Sequence, residues 1–174
     1  YRKDFSRRAL GSELMTYLVS DDDIAAFDRD GAVALRGALS SQWVERLRQG
    51  VDENLANPGR YAKFYTPDGA DGFFFGDYCN WTSNEAYRAC VEQSNLASVA
   101  SALMHSAKVN FFHEHVLVKE PRTSERTPWH HDQPYWVVDG WQVCSLWIPL
   151  DPVPRDVAVE FVAGSHRSGA WYAP

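Results

Sequence analysis

The run Thr127-Pro128-Trp129-His130-His131-Asp132-Gln133-Pro134-Tyr135-Trp136 sets an imidazole and a carboxylate two positions apart, at His130 and Asp132. In extended backbone, residues i and i+2 project to the same side, so both groups can reach one ion while His131 between them points away. Nitrogen and oxygen donors without a thiolate suit divalent iron and its neighbours. Two His and one carboxylate on one face leave coordination positions open for a substrate and dioxygen. A bare H-x-D pair also fits an ordinary strand-edge His beside a solvated Asp, so its surroundings have to decide.

Upstream, Val109 to Lys119 alternates in the manner of a strand. Val109, Phe111, His113, His115, Leu117 and Lys119 share one face, and Asn110, Phe112, Glu114, Val116 and Val118 the other. Downstream, Trp141 to Leu150 and Val157 to Val162 read as two further strands. They are punctuated by Asp139-Gly140, Pro152 to Pro154 and Gly164. The first part of the chain is helical in pattern. Ser20 caps an acidic first turn, Asp21 to Asp23, and the segment stops near Gly31. Ala32 to Leu35 is a short apolar strand. Ser40 or Ser41 opens a second helix whose Val44, Leu47, Val51 and Leu55 fall at helical spacing before Asn57-Pro58-Gly59 ends it. Helical patterns return at Glu85 to Glu92 and Leu96 to His105. Residues 60 to 82 form an irregular, Gly- and aromatic-rich segment with Phe73 to Phe75, Tyr78 and Trp81. It reads either as a loop covering the core or as the wall of a substrate pocket.

Composition narrows the classes. The 174 residues carry 45% apolar side chains, enough for one domain with a hydrophobic core. A net charge of -6 argues against nucleic acid as a partner, which requires a basic stripe. No apolar stretch approaches the ~18 residues of a membrane span. The opening Tyr1 to Phe5 is polar and lacks the apolar core of a signal peptide. Cys79, Cys90 and Cys144 are odd in number and contain no C-x-x-C pair, which predicts reduced thiols and a cytoplasmic protein.

From Lys108 onward the chain resembles the phytanoyl-CoA dioxygenase family of iron(II)- and 2-oxoglutarate-dependent oxygenases. Three blocks carry the resemblance: Phe112 to Pro121, Trp129 to Asp132 with Tyr135-Trp136 behind it, and Glu160 to Arg167. The last looks like the family's P-G-S-H segment with Ala163 in place of Pro. The opening Phe27 to Val33 is similar to the family's N-terminal region. The resemblance implies a mainly β architecture with flanking helices, a double-stranded β-helix of the jelly-roll or cupin-like kind. Residues 1–107 would form the mostly helical part of a single oxygenase domain, and 108–174 the first part of its β core.

The resemblance further implies that His130 and Asp132 are the first two iron(II) ligands. His115, Lys119 and Trp147 would lie near the 2-oxoglutarate pocket. Each has a plainer reading beside it: His115 as a hydrogen-bonded core histidine, Lys119 as a surface lysine, Trp147 as core packing. His166 is expected to sit in a turn and not to bind the metal. The implied reaction hydroxylates a small, largely apolar substrate. Related halogenases lack the carboxylate, so Asp132 favours hydroxylation.

The family's distal His, and the Arg that pairs with the far carboxylate of 2-oxoglutarate, would fall beyond Pro174. The strands recognisable here are also fewer than the ~8 of a closed barrel. The expectation is a truncated domain, inactive as it stands for want of its third ligand and of the bidentate anchor for the co-substrate. The rival readings are a non-catalytic binding protein on the same fold with an incomplete metal site, and a cupin-like metalloenzyme that does not use 2-oxoglutarate.

Overall fold

The computed structural model describes residues 17–123 and 126–172. The polar opening Tyr1 to Phe5 and the terminal Pro174 lie outside them.

The helical half forms where the sequence places it. α1 spans Asp21–Asp30. The Ser20 side chain accepts from the Asp23 backbone N–H while the Asp23 carboxylate reaches back to Ser20, a reciprocal pair that satisfies donors the helix leaves open. Gly31, at φ +79°, ends it in the left-handed region. α2 spans Ser41–Ala56 and is capped by Ser40, whose hydroxyl accepts from Trp43 N. α3 (Glu85–Gln93) starts under Asn84, which accepts from two backbone N–H groups and donates to Gly50 O at 2.9 Å. α4 spans Leu96–Leu103. α2 and α3 pack on Leu47, Tyr87 and Cys90, with Trp43, Val51, Trp81, Val116, Ile148 and Leu150 closing around them. Gly50 lets the helices approach: a Cβ there would come within 2.8 Å of Ala86 Cβ and of the Tyr87 ring.

A three-stranded antiparallel sheet lies beside the helices, in the order β1 (Lys63–Phe64), β2 (Phe74–Tyr78), β3 (His115–Lys119). β2 and β3 pair over their full lengths, Phe74 opposite Lys119 and Tyr78 opposite His115. Along β3 the expected alternation holds: Val116 and Val118 are half-buried, while His115, Leu117 and Lys119 are exposed on the other face. On the helix-facing side of β2, Phe75 and Asp77 are wholly buried. Asp77 ties three parts of the fold together. Its carboxylate accepts from Asn54 Nδ2 on α2 at 2.9 Å, from Gly59 N at 2.7 Å and from Tyr78 N at 2.9 Å. Burial alone would raise its pKa, but the hydrogen bonds outweigh this and the net shift is downward.

The β reading needs correction in three places. The irregular segment at 60–82 contains two of the strands, β1 and β2. Val109 to Glu114 precedes the ladder; only His115–Lys119 is paired. Ala32 to Leu35, Trp141 to Leu150 and Val157 to Val162 join no ladder among the described residues. A strand is completed by its neighbour's hydrogen bonds, and no neighbour reaches these runs. They are tethered to the helical half instead. Arg48 donates to Leu150 O, Gln142 Nε2 to Met104 O at 3.0 Å, and Gly164 N to Asp30 O at 2.8 Å. Many apolar side chains of the last two runs, Trp141, Val157 and Phe161 among them, are therefore exposed. The described residues show helices flanking a small antiparallel sheet, which is compatible with the mainly β expectation at that level.

Candidate metal and co-substrate site

His130 and Asp132 converge, though not along a strand. Asp132 adopts helical dihedrals and leads into a single 3-10 turn at Gln133–Tyr135, with Pro134 inside it. That turn brings Asp132 Oδ1 to 3.3 Å from His130 Nε2. His130 Nδ1 lies 2.8 Å from Pro128 O. A carbonyl only accepts, so Nδ1 carries the proton, and in the neutral ring Nε2 holds a lone pair. Ser145 Oγ donates to Asp132 Oδ2 at 2.8 Å. One carboxylate oxygen is thus engaged, and the other faces the imidazole nitrogen. Two lone-pair donors turned towards each other, each held by a hydrogen bond from behind, form an arrangement suited to a cation between them. The donor set fits iron(II) as far as it goes. Among the described residues, no group of three or more His, Cys, Asp or Glu side chains is placed to hold a metal.

His131 turns to Tyr172 instead. Its backbone N–H donates to Tyr172 O at 2.6 Å, its Nδ1 accepts from Tyr172 N at 3.1 Å, and the two rings stack. His166 lies elsewhere. Its Nε2 is 3.2 Å from Asp28 O, and its ring covers Gly31, where any Cβ would overlap it. The Gly164–Arg167 turn therefore docks on the end of α1.

The three residues expected near the co-substrate separate. His115 stands at the start of β3, close enough to Asp132 for the carboxylate to favour its charged form. Burial of the ring and the neighbouring His113 outweigh that pull, and the His115 pKa falls below its usual value. Part of the residue remains open to water, so the ring is packed without being sealed. Tyr78 meets both His113 and His115 edge to face. Lys119 lies on the same face at the far end of the strand, with its ammonium 4.4 Å from the Phe74 ring centroid. Trp147 is 52% exposed, on a run where Ile148 and Leu150 turn to the helical core. It stands two positions from Ser145, the partner of Asp132, so in extended chain it shares that side.

Sequence reasoning missed Ser145 and the Pro128 carbonyl. Neither belongs to a motif. The only available hint was the i, i+2 relation of Ser145 to Trp147.

A family model for phytanoyl-CoA dioxygenase (PhyH) matches residues 27–173. The match takes in the end of α1, the sheet, the His130–Asp132 pair and the Gly164–Arg167 turn. The chain belongs to the phytanoyl-CoA dioxygenase family, a family generally of oxygenases. No curated protein and no solved structure matches it. No helix among the described residues is long and apolar enough to cross a membrane.

Proposed function

We propose that this chain belongs to an iron(II)- and 2-oxoglutarate-dependent dioxygenase that hydroxylates a small, largely apolar substrate. In this reading His130 and Asp132 are iron ligands. His115, Lys119 and Trp147 border the co-substrate pocket, and the sheet belongs to a double-stranded β-helix. One observation carries the reading: the hydrogen bond from His130 Nδ1 to Pro128 O leaves Nε2 bare and facing Asp132 Oδ1 at 3.3 Å.

Bound iron(II) with 2-oxoglutarate supplies oxidative decarboxylation coupled to C–H hydroxylation. The chain's own groups do the positioning. The Pro128 carbonyl selects the His130 tautomer. Ser145 holds Asp132 by one oxygen so that the other is aimed. His115, with its lowered pKa, stays uncharged near neutral pH and adds no cation that would repel a metal. The aromatic segment before β2 offers an apolar wall, which suits a substrate of low polarity.

A second reading, a non-catalytic binding protein on the same fold, is favoured by the lack of a third ligand among the described residues. Anaerobic addition of iron(II) and then 2-oxoglutarate separates the two. The oxygenase reading expects the visible charge-transfer absorption of a keto-acid chelated to iron, abolished in Asp132→Ala. A protein that stays colourless and retains no iron supports the binder.

A further inference from the structure

The turn that carries His130 and Asp132 is gripped by two lengths of chain that start at one corner of the helical half. The end of α1 and the end of α4 make that corner, where His105 Nε2 lies 3.0 Å from a carboxylate oxygen of Asp28. One arm leaves it at Gln142, whose Nε2 donates to Met104 O at 3.0 Å. Three residues further on, Ser145 Oγ donates to Asp132 Oδ2 at 2.8 Å. The other leaves at Gly164, whose N–H donates to Asp30 O at 2.8 Å. Eight residues further on, Tyr172 meets His131.

The second arm is fixed at both ends and shaped between them. At the helix end, His166 Nε2 lies 3.2 Å from Asp28 O; a carbonyl only accepts, so Nε2 donates. The ring fills the space over Gly31, where a Cβ would come within 2.3 Å of Nδ1. In the middle, Gly169 turns the chain at φ +70°, and the Ser168 hydroxyl bonds both the N–H and the carbonyl of Ala170 at 3.2 Å. At the far end, His131 N donates to Tyr172 O and Tyr172 N donates to His131 Nδ1, with the two rings stacked at 5.5 Å. Backbone and ring of His131 are both held, which sets the peptide joining it to His130. Three successive residues are thus fixed from outside the turn or from its own start: His130 by Pro128 O, His131 by Tyr172, Asp132 by Ser145. The arm adds little to the core, since Trp171 and Tyr172 remain 57% and 62% exposed. What it fixes is the turn, in the manner of the outer partners that orient metal ligands.

We propose that residues 164–172 are a positioning arm: docking of His166 on the end of α1 is carried through Tyr172 to the turn at His131 and holds His130 and Asp132 facing each other. His166 and Tyr172 are positioning residues and not ligands. The proposal deepens the oxygenase reading and rests on it for what the pair holds, so orientation is measured first in the metal-free protein. Nitrogen-15 NMR of the imidazoles reports the His130 tautomer, which Pro128 O holds as Nδ1–H. Tyr172→Ala, at an exposed residue, and His166→Ala, at the opposite end of the arm, are each expected to convert that single tautomer into a mixture and to speed His131 amide exchange about tenfold. Tyr172→Phe keeps the ring stack and the parent spectrum. The double Ala variant goes no further than either single one, because both residues act on one arm. Cobalt(II) titration then follows the spectra, with affinity down about tenfold in each Ala variant and unchanged in Tyr172→Phe. A parent-like His130 tautomer and His131 exchange in either Ala variant would overturn the proposal, as would a loosened turn that binds cobalt(II) as tightly as the parent. A parent that binds no cobalt(II) sinks the metal reading instead, and the spectra still decide for or against the arm.

Discussion

Replacing Asp77 with Asn tests whether the fold that presents the sheet depends on one buried carboxylate. The side chain is 0% exposed, and its two oxygens accept from three donors of known position. An amide has only one acceptor oxygen. Kept on the Asn54 and Gly59 side, that oxygen turns the new NH2 towards Tyr78 N–H, so one buried donor loses its partner at about 1–3 kcal/mol. The two surviving hydrogen bonds lose their charge assistance, about 1 kcal/mol each, and relief from burying a charge offsets part of this. The net expected loss is about 2–4 kcal/mol, or roughly 5–15 °C in Tm for a chain of this size. Thermal unfolding followed by circular dichroism measures it. The pH dependence supplies a second check. A carboxyl whose pKa is lowered on folding stabilises the protein above its unfolded value, and that contribution is lost as pH falls through the folded one. The gap between parent and Asp77→Asn should therefore narrow as pH drops below the ordinary carboxylate range. A variant within 0.5 kcal/mol of the parent at pH 7, or a gap that does not change with pH, refutes the reasoning.

Gly31→Ala forces a side chain into a left-handed residue and onto the His166 ring, so a loss of about 2 kcal/mol or more is expected in urea unfolding, together with detachment of the Gly164–Arg167 turn. Ser145→Ala removes the hydrogen bond to Asp132 Oδ2. It should leave Tm unchanged within about 1 kcal/mol while weakening iron(II) binding roughly tenfold, as measured by anaerobic titration.

Helix ends were legible because capping is local chemistry. Ser20, Ser40 and Gly31 each act within four residues of where they stand. The sheet was less so. β2 sits in a segment where Phe73, Phe74 and Phe75 run without alternation and Gly76 has no side chain, so no period-two signal survives. The runs at 141–150 and 157–162 are mostly apolar and bounded by turn residues, yet a strand exists only through partners that lie far off in sequence. The site divides along the same line. The spacing of His130 and Asp132 singled the pair out on an extended-chain argument, whereas the structure joins the two through a 3-10 turn. The turn that joins the pair, and the Ser145 hydroxyl and Pro128 carbonyl that orient it, arise from tertiary contacts and backbone geometry that carry no motif.

The most direct test is electron paramagnetic resonance of copper(II) bound to the protein at one equivalent. The geometry predicts superhyperfine splitting from imidazole nitrogen that His130→Ala removes and His131→Ala leaves intact. Splitting that persists without His130, or disappears without His131, would contradict it.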